Sequence, residues 1–362
     1  MPENAEIIVR YNGDLEPVGL ALDAQVEILG ESIAILTLPP ERIPELFDFK
    51  QIEFIELPKT LSLSLRESLA DACITPAAQN YGLSGRGVLI GVIDSGIDYA
   101  HPDFRDGAGN SRVLFLWDQL GEGEPPRGFN HGVEYNNSQL NEILQGSRAN
   151  MPSQDIVGHG TPVAAIAAGN GGVAPDASLI VVRLGRRGLA RTTEIMRSIK
   201  YIMDYATELN MPVVINISFG TNNGSHAGDS LFEEYIDGMA QRWRCVIVVA
   251  MGNEAAAGHH FKGNIQTNQT LVASFTVSEN LNSLFLTLWK NFADTLDLEL
   301  IAPGGQSCGI LRASEQYFRQ INLGNNEITI NYRQPTVHSR SQEAFFQFSG
   351  NPVTQGIWRL RI

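Results

Sequence analysis

Three residues of this sequence have the types and settings that proton transfer at a carbonyl requires. Asp94 ends an apolar run (residues 88–93, Val-Leu-Ile-Gly-Val-Ile), His159 stands in Gly158-His159-Gly160-Thr161, and Asn253 follows Ala250-Met251-Gly252. A carboxylate that accepts from one ring nitrogen of a histidine sets its tautomer, so the other nitrogen can take a proton from an attacking hydroxyl. A side-chain amide can donate to the oxyanion that this attack creates. Singly, each has a plainer explanation. An Asp at a strand end is commonly a turn or cap residue, and Gly-His-Gly-Thr can be a loop leading into a Thr-capped helix. Their joint occurrence is what points to chemistry.

An α/β sheet, which presents functional side chains at the carboxyl ends of its strands, must position them. The run ending at Asp94 reads as a strand buried on both faces, and similar runs follow at 178–183, 213–217 and 245–250. Helical patterns alternate with them at 161–169, 192–209 and 231–242, which predicts a parallel sheet with right-handed crossovers. A Gly/Pro/Asn-rich insertion over 118–154, with a helix near 138–145, interrupts the rhythm. Before this unit, residues 6–58 read as a small α+β domain: strands at 6–11, 24–29, 32–37 and 52–57, and a short Pro-led helix at 40–46. A polar connector (61–68) and a surface helix (70–81) follow. After about Gly258 come only short alternating strands, at 271–277, 284–289, 296–301, 327–332, 343–348 and 356–362, the signature of a β-sandwich of jelly-roll type. Trp289 and Trp358 lie in these strands and are expected in the core. The domains are thus drawn at 1–68, 69–258 and 259–362.

Composition narrows the partners. The 362 residues carry 26 basic and 40 acidic side chains, a net charge of −14, so neither nucleic acid nor an anionic membrane is an expected partner. The basic stretch from Arg183 to Arg191 reads as a solvated loop. No apolar run reaches the ~18 residues a membrane helix needs, and residues 1–6 lack the basic and apolar regions of a secretory leader, so a cytoplasmic location is expected. Cys73, Cys245 and Cys308 have no metal-ligand spacing and are expected as buried free thiols. Asp98 and Asp103 are two carboxylates, too few to define a calcium site. No metal and no cofactor is expected. His131, His226, His259 and His260 read as loop or supporting residues.

The order acid, histidine, amide, together with the motifs Asp94-Ser95-Gly96, Gly158-His159-Gly160-Thr161, Asn216-Ile217-Ser218-Phe219-Gly220 and Gly252-Asn253, resembles the subtilisin-like serine proteases over roughly residues 80–255. The resemblance implies that Asp94 and His159 are two members of a catalytic triad and Asn253 the oxyanion donor. It further implies that Ser218, Phe219 and Gly220 pair with the backbone of a protein or peptide substrate, and that Ala250, Met251 and Gly252 line a wall of the specificity pocket. The β-region after Gly258 and the segments Gly-Asn-Glu-Ala-Ala-Ala-Gly-His-His (252–260) and 218–230 are similar to the Csp germination proteases, in which a jelly-roll is inserted before the catalytic serine. That similarity implies a propeptide at residues 1 to about 68, ending between Thr60 and Asp71. The propeptide would be a partner in the chain's own cleft, and a spore-associated role would follow.

The nucleophile motif of that family, Gly-Thr-Ser-Met-Ala, does not occur within residues 1–362. Ser307 and Ser349 lie in β-texture rather than at the head of a small-residue helix and are not assigned to the role. Three readings stay open: the N-terminal part of a longer chain completed by a C-terminal remainder, one half of a split enzyme, or a pseudoprotease that binds or signals. The first is the leading expectation, and on it residues 1–362 alone are not a competent protease.

Overall fold

A computed structural model describes residues 4–30, 33–56, 71–147, 155–184, 190–253, 257–312, 317–332 and 341–362. The connector predicted over 61–68 and the centre of the basic 183–191 stretch lie outside the described residues. The chain divides into two compact units, Met1–Ser68 and Leu69–Ile362.

In the first unit, β1 (Ala5–Tyr11), β2 (Gln25–Gly30), β3 (Ile33–Leu38) and β4 (Ile52–Glu56) form an antiparallel sheet in the order β2-β3-β1-β4. Alternation places Ile7, Val9, Ala34, Leu36 and Leu38 on one buried face. Against it pack a short 3-10 helix (Pro40–Asp48) and α1 (Glu16–Leu22). The sequence does not announce α1, whose seven residues are too few for a clear helical period.

The second unit opens with α2 (Ile74–Tyr81), which is shorter than predicted because Cys73 has a left-handed backbone (φ 58) and stops the helix there. Cys73 is also exposed, contrary to the expectation of a buried thiol, while Cys245 and Cys308 are partly buried and burial pushes both thiols up in pKa. The main sheet contains β5 (Leu89–Asp94), β6 (Val113–Asp118), β7 (Val133–Asn136), β8 (Ser178–Arg183), β9 (Val213–Ile217) and β10 (Cys245–Val249). Their order is β10-β9-β5-β8-β6-β7, parallel throughout except for the antiparallel β6–β7 pair. The helices between strands are α3 (Asn137–Leu144), α4 (Gly160–Ala168), α5 (Thr192–Glu208) and α6 (Leu231–Ala240).

Central β5 is buried along its whole length. Leu89 and Ile93 join the core with Ile195, Ile199 and Ile202 of α5, and Ile90 and Val92 join Ala164 and Ala168 of α4 on the other face. A strand flanked by helices on both sides has no solvent face, hence the unbroken apolar run. Strand β7 falls inside the stretch expected to be an insertion, and β6, just before it, is a short apolar run whose place in the sheet only long-range pairing decides. The helix expected there is α3, started by a capping box of Asn136 and Gln139.

The C-terminal strands are β11 (Val272–Val277), β12 (Ser283–Asn291), β13 (Glu299–Ile301), β14 (Tyr317–Leu323), β15 (Asn326–Tyr332), β16 (Ser341–Ser349) and β17 (Gly356–Arg361). They form antiparallel sheets in the orders β11-β17-β13 and β12-β16-β15-β14 around Ile328, Ile330, Phe346, Phe348, Trp358 and Leu360. β14 was not read from the sequence. Trp358 is fully buried as expected, but Trp289 is not a core residue. Leu284, Leu286 and Leu288 turn to the core, so the odd positions of β12, Phe285, Thr287 and Trp289, lie on the outer face. Among the described residues no helix is long and apolar enough to cross a membrane.

Candidate active site

Asp94 is the last residue of β5, at the carboxyl edge of the sheet, and is fully buried. Its Oδ1 accepts the Ser95 N–H at 2.7 Å and lies 2.8 Å from His159 Nδ1. The carboxylate is acceptor-only, so this bond puts the ring proton on Nδ1 and leaves Nε2 with a free lone pair. His159 sits at the head of α4 with about half of its side chain exposed (55%). A buried acid holding a half-exposed imidazole in this tautomer is the arrangement that a general base requires.

The close approach of α4 to Asp94 depends on Gly160. A Cβ there would lie 2.1 Å from the Gly96 carbonyl oxygen and 3.0 Å from Asp94 Cβ. Gly96 has φ +131, outside the range that L side chains adopt readily, and lets the chain turn directly after the acid.

Asp155 and Ser95 bind the two segments together, and sequence reasoning assigned neither a role. Asp155 Oδ1 accepts the Ser95 hydroxyl at 2.7 Å and the Gly158 N–H at 2.9 Å. Its Oδ2 accepts both the N–H and the hydroxyl of Thr161, each at 2.8 Å. The Gly160 N–H donates to Ser95 Oγ at 3.0 Å. Burial pushes the Asp155 pKa up, but the Ser95, Thr161 and Gly158 donors outweigh it, and the net value lies below the ordinary carboxylate range. The available signal was an acid four residues before the histidine, at the head of a small-residue helix, where a carboxylate caps and meets the helix dipole.

The other predicted site residues collect at the same carboxyl edge. Ser218, Phe219 and Gly220 follow β9, which adjoins β5, and Ala250 to Asn253 follow β10, one strand further out. The Ala250 N–H bonds the Ile217 carbonyl at 3.0 Å, and Ser218 Oγ accepts from Asn216 Nδ2 at 2.8 Å. Phe219 packs on the core, while Gly220, Ala250, Met251, Gly252 and Asn253 are exposed. Asn253 is thus at the right edge without a hydrogen bond to Asp94 or His159. His131 packs its ring beside Trp117, and His226 stacks with His260, with ring centroids 5.6 Å apart. Among the described residues no group of three or more His, Cys, Asp or Glu could hold a metal ion.

Comparison with known proteins places the chain in a family. The chain is 31% identical to the CspB protease of Clostridium perfringens, whose structure it matches with a TM-score of 0.73 over 82% of this chain and 62% of that one. It is 34% identical over 149 residues to a subtilisin from Bacillus sp. (strain TA39), covering 39% of this chain and 29% of the relative. With the nisin leader peptide-processing serine protease NisP of Lactococcus lactis subsp. lactis it shares 27% identity over 213 residues, 55% of this chain and 27% of the relative. The chain therefore spans less than two thirds of each of these relatives. Residues 2–59 match the Csp protease B prodomain and residues 85–344 the subtilase family, peptidase S8. With its Asp94–His159 pair set at the carboxyl edge of a parallel sheet, the chain belongs to the subtilase family and is of the Csp type.

Proposed function

We propose that this protein works as a serine endopeptidase whose acid and base are Asp94 and His159, with the attacking serine supplied by sequence outside residues 1–362. The observation that carries this reading is the 2.8 Å bond between fully buried Asp94 and Nδ1 of half-exposed His159. His159 Nε2 takes the serine proton as the oxygen attacks the scissile carbonyl, and Asp94 stabilises the imidazolium that results. The Asn253 amide donates to the oxyanion. Collapse of the intermediate breaks the C–N bond, with His159 returning its proton to the leaving amine, and water then releases the acyl group by the same steps.

On this reading residues 218–220 pair with the substrate backbone by strand addition, and 250–252 form a pocket wall. Residues 1–68 are the prodomain, a folding aid and inhibitor, 69–258 belong to the catalytic domain, and 259–362 are an inserted β-domain. The edge of the main sheet supports the missing-serine element of the proposal. Among the described residues β10 pairs with β9 alone, and Val246, Val248 and Val249 are 54%, 49% and 43% exposed on a strand without a charged residue. Natural sheets cover or charge such an edge, so a further segment of the catalytic domain belongs there.

The test is to express the complete reading frame and treat it with a fluorophosphonate that labels activated serines. Labelling that disappears in His159→Ala is the expected result. A folded, complete protein that takes no label would overturn the proposal in favour of a non-catalytic binding module.

A further inference from the structure

Arg112, the residue before β6, sends its guanidinium to a point where oxygens from three separate segments converge. Its Nη2 donates to the Asp103 carbonyl at 2.5 Å and to the Ala168 carbonyl at 2.6 Å, and lies 3.3 Å from Asn170 Oδ1. Nη1 donates to the Ala177 carbonyl at 2.9 Å. Asp103 belongs to the segment between β5 and β6, Ala168 ends α4, and Ala177 leads into β8. The end of α4 shows what the charge meets there. The N–H groups of Gly169, Val173 and Ala174 take the carbonyls of Ala165, Ile166 and Ala167. Arg112 takes the next one, that of Ala168, at the negative end of the helix. Its Nε is buried without an acceptor among the described residues, so the two terminal nitrogens make all of these bonds.

We propose that the Arg112 guanidinium is a built-in substitute for a metal ion, filling a hard-cation site made by the oxygens of Asp103, Ala168, Asn170 and Ala177. A hard cation gathers carbonyl and amide oxygens from separate loops in this way. A nitrogen with two hydrogens, by contrast, cannot pair fully with the three oxygens around Nη2. The surroundings favour positive charge as well. Burial pulls the pKa of the guanidinium down, and the carboxylates of Asp176, Asp103 and Asp106 push it back up. The side chain ties the segment that leaves Asp94 to the end of α4 opposite His159, and no metal is needed at that place. Arg112 is thereby a positioning residue for the acid and the base. This last link rests on the protease reading, whereas the cation site does not.

Thermal melts of the complete protein test the site without any hydrolysis. Wild type should melt at the same temperature in EDTA and in millimolar calcium chloride. Arg112→Ala should melt about 10 °C lower in EDTA, and calcium should restore about half of that loss by binding the folded state. Arg112→Lys keeps a point cation with three donors, so it should retain most of the stability and ignore calcium. Arg112→Met fills the space of the stem without charge and should melt as low as Arg112→Ala in EDTA. If Arg112→Ala does not fold in cells, refolding from urea replaces the melt, with recovery expected only when calcium is present. A variant indifferent to calcium, recovery in neither buffer, or a wild type that gains as much from calcium as the variant would each overturn the proposal. Well below its melting temperature, Arg112→Ala should also take a fluorophosphonate more slowly, and calcium should restore the rate. Restored melting without restored labelling would remove the positioning role. If calcium rescues the melt but wild type takes no label, the protease reading fails and the cation site stands. Labelled wild type without calcium rescue of the variant gives the converse.

Discussion

The Ser95 hydroxyl donates to Asp155 Oδ1 over 2.7 Å, joining two segments sixty residues apart directly behind the Asp94–His159 pair. The other Asp155 oxygen holds Thr161 at the start of α4, so this one carboxylate fixes both the turn after the acid and the turn that carries the histidine. Asp155 acts through His159 as a positioning residue. Replacing it with Ala should cost about 2 kcal/mol, from a lost helix cap and partly buried donors left unpaired. Urea denaturation would measure this, and the His159 ring resonances should shift or broaden. Unchanged resonances would contradict the positioning role.

The depressed Asp155 pKa also makes stability depend on pH. Its folded value lies below its unfolded one, so its contribution is fully present above the unfolded value of about 3.9. It is lost as pH falls through the folded value. The difference in melting temperature between wild type and Asp155→Asn should therefore shrink as pH is lowered below about 4. A difference independent of pH would show that the carboxylate charge plays no part.

Gly160→Ala is expected to be more damaging than an alanine elsewhere in α4. The new methyl would have to displace the Gly96 carbonyl, 2.1 Å away, and press on Asp94. Overpacking of this kind costs about 3 kcal/mol, and in the complete enzyme it should also depress kcat. Ala165→Gly in the same helix, by comparison, should cost about 1 kcal/mol.

Arg183, one residue beyond Val182 on β8, donates to Asp118 Oδ2 at 2.8 Å, with both side chains largely buried. Removing one partner of a buried pair leaves the other charged and unmatched, at a cost of about 3 kcal/mol or more. Asp118→Ala should therefore destabilise the main sheet strongly in chemical denaturation. The double variant Asp118→Leu with Arg183→Met should recover much of the loss.

In the β-sandwich, burial pushes the Tyr332 hydroxyl up to about 12, and it donates to the Leu296 carbonyl at 2.9 Å. A group with a raised folded pKa stabilises fully below its unfolded value, about 10 for tyrosine, and loses that contribution as pH rises through the folded value. Stability should fall between about pH 10 and 12, and Tyr332→Phe should remove this part of the decline in a pH series of thermal melts.

If Asn253 is the oxyanion donor proposed above, Asn253→Ala in the full-length protein should lower kcat by about 10²–10³-fold with little change in KM, because the amide would then meet charge that exists only in the transition state. His159→Ala should abolish turnover outright. Steady-state kinetics on a peptide substrate would separate the two, and an Asn253 effect confined to KM would remove it from the oxyanion role.

The sequence by itself determined the α/β architecture around Asp94. A strand covered on both faces must be apolar at every position, and that unbroken run is visible without coordinates. It also determined which acid and histidine belong together, through four motifs in family order, and the period-two alternation of the C-terminal strands. The tertiary structure alone decided three further matters. It joined Ser95 to Asp155 across sixty residues, a pairing with no local periodicity to announce it. It brought β6 and β7 into the main sheet, because strand pairing is a long-range choice that short apolar runs leave open. It also turned Trp289 outward: alternation shows that Leu288 and Trp289 occupy opposite faces, but only the packing of β12 against β16 and the second sheet determines which face is the core.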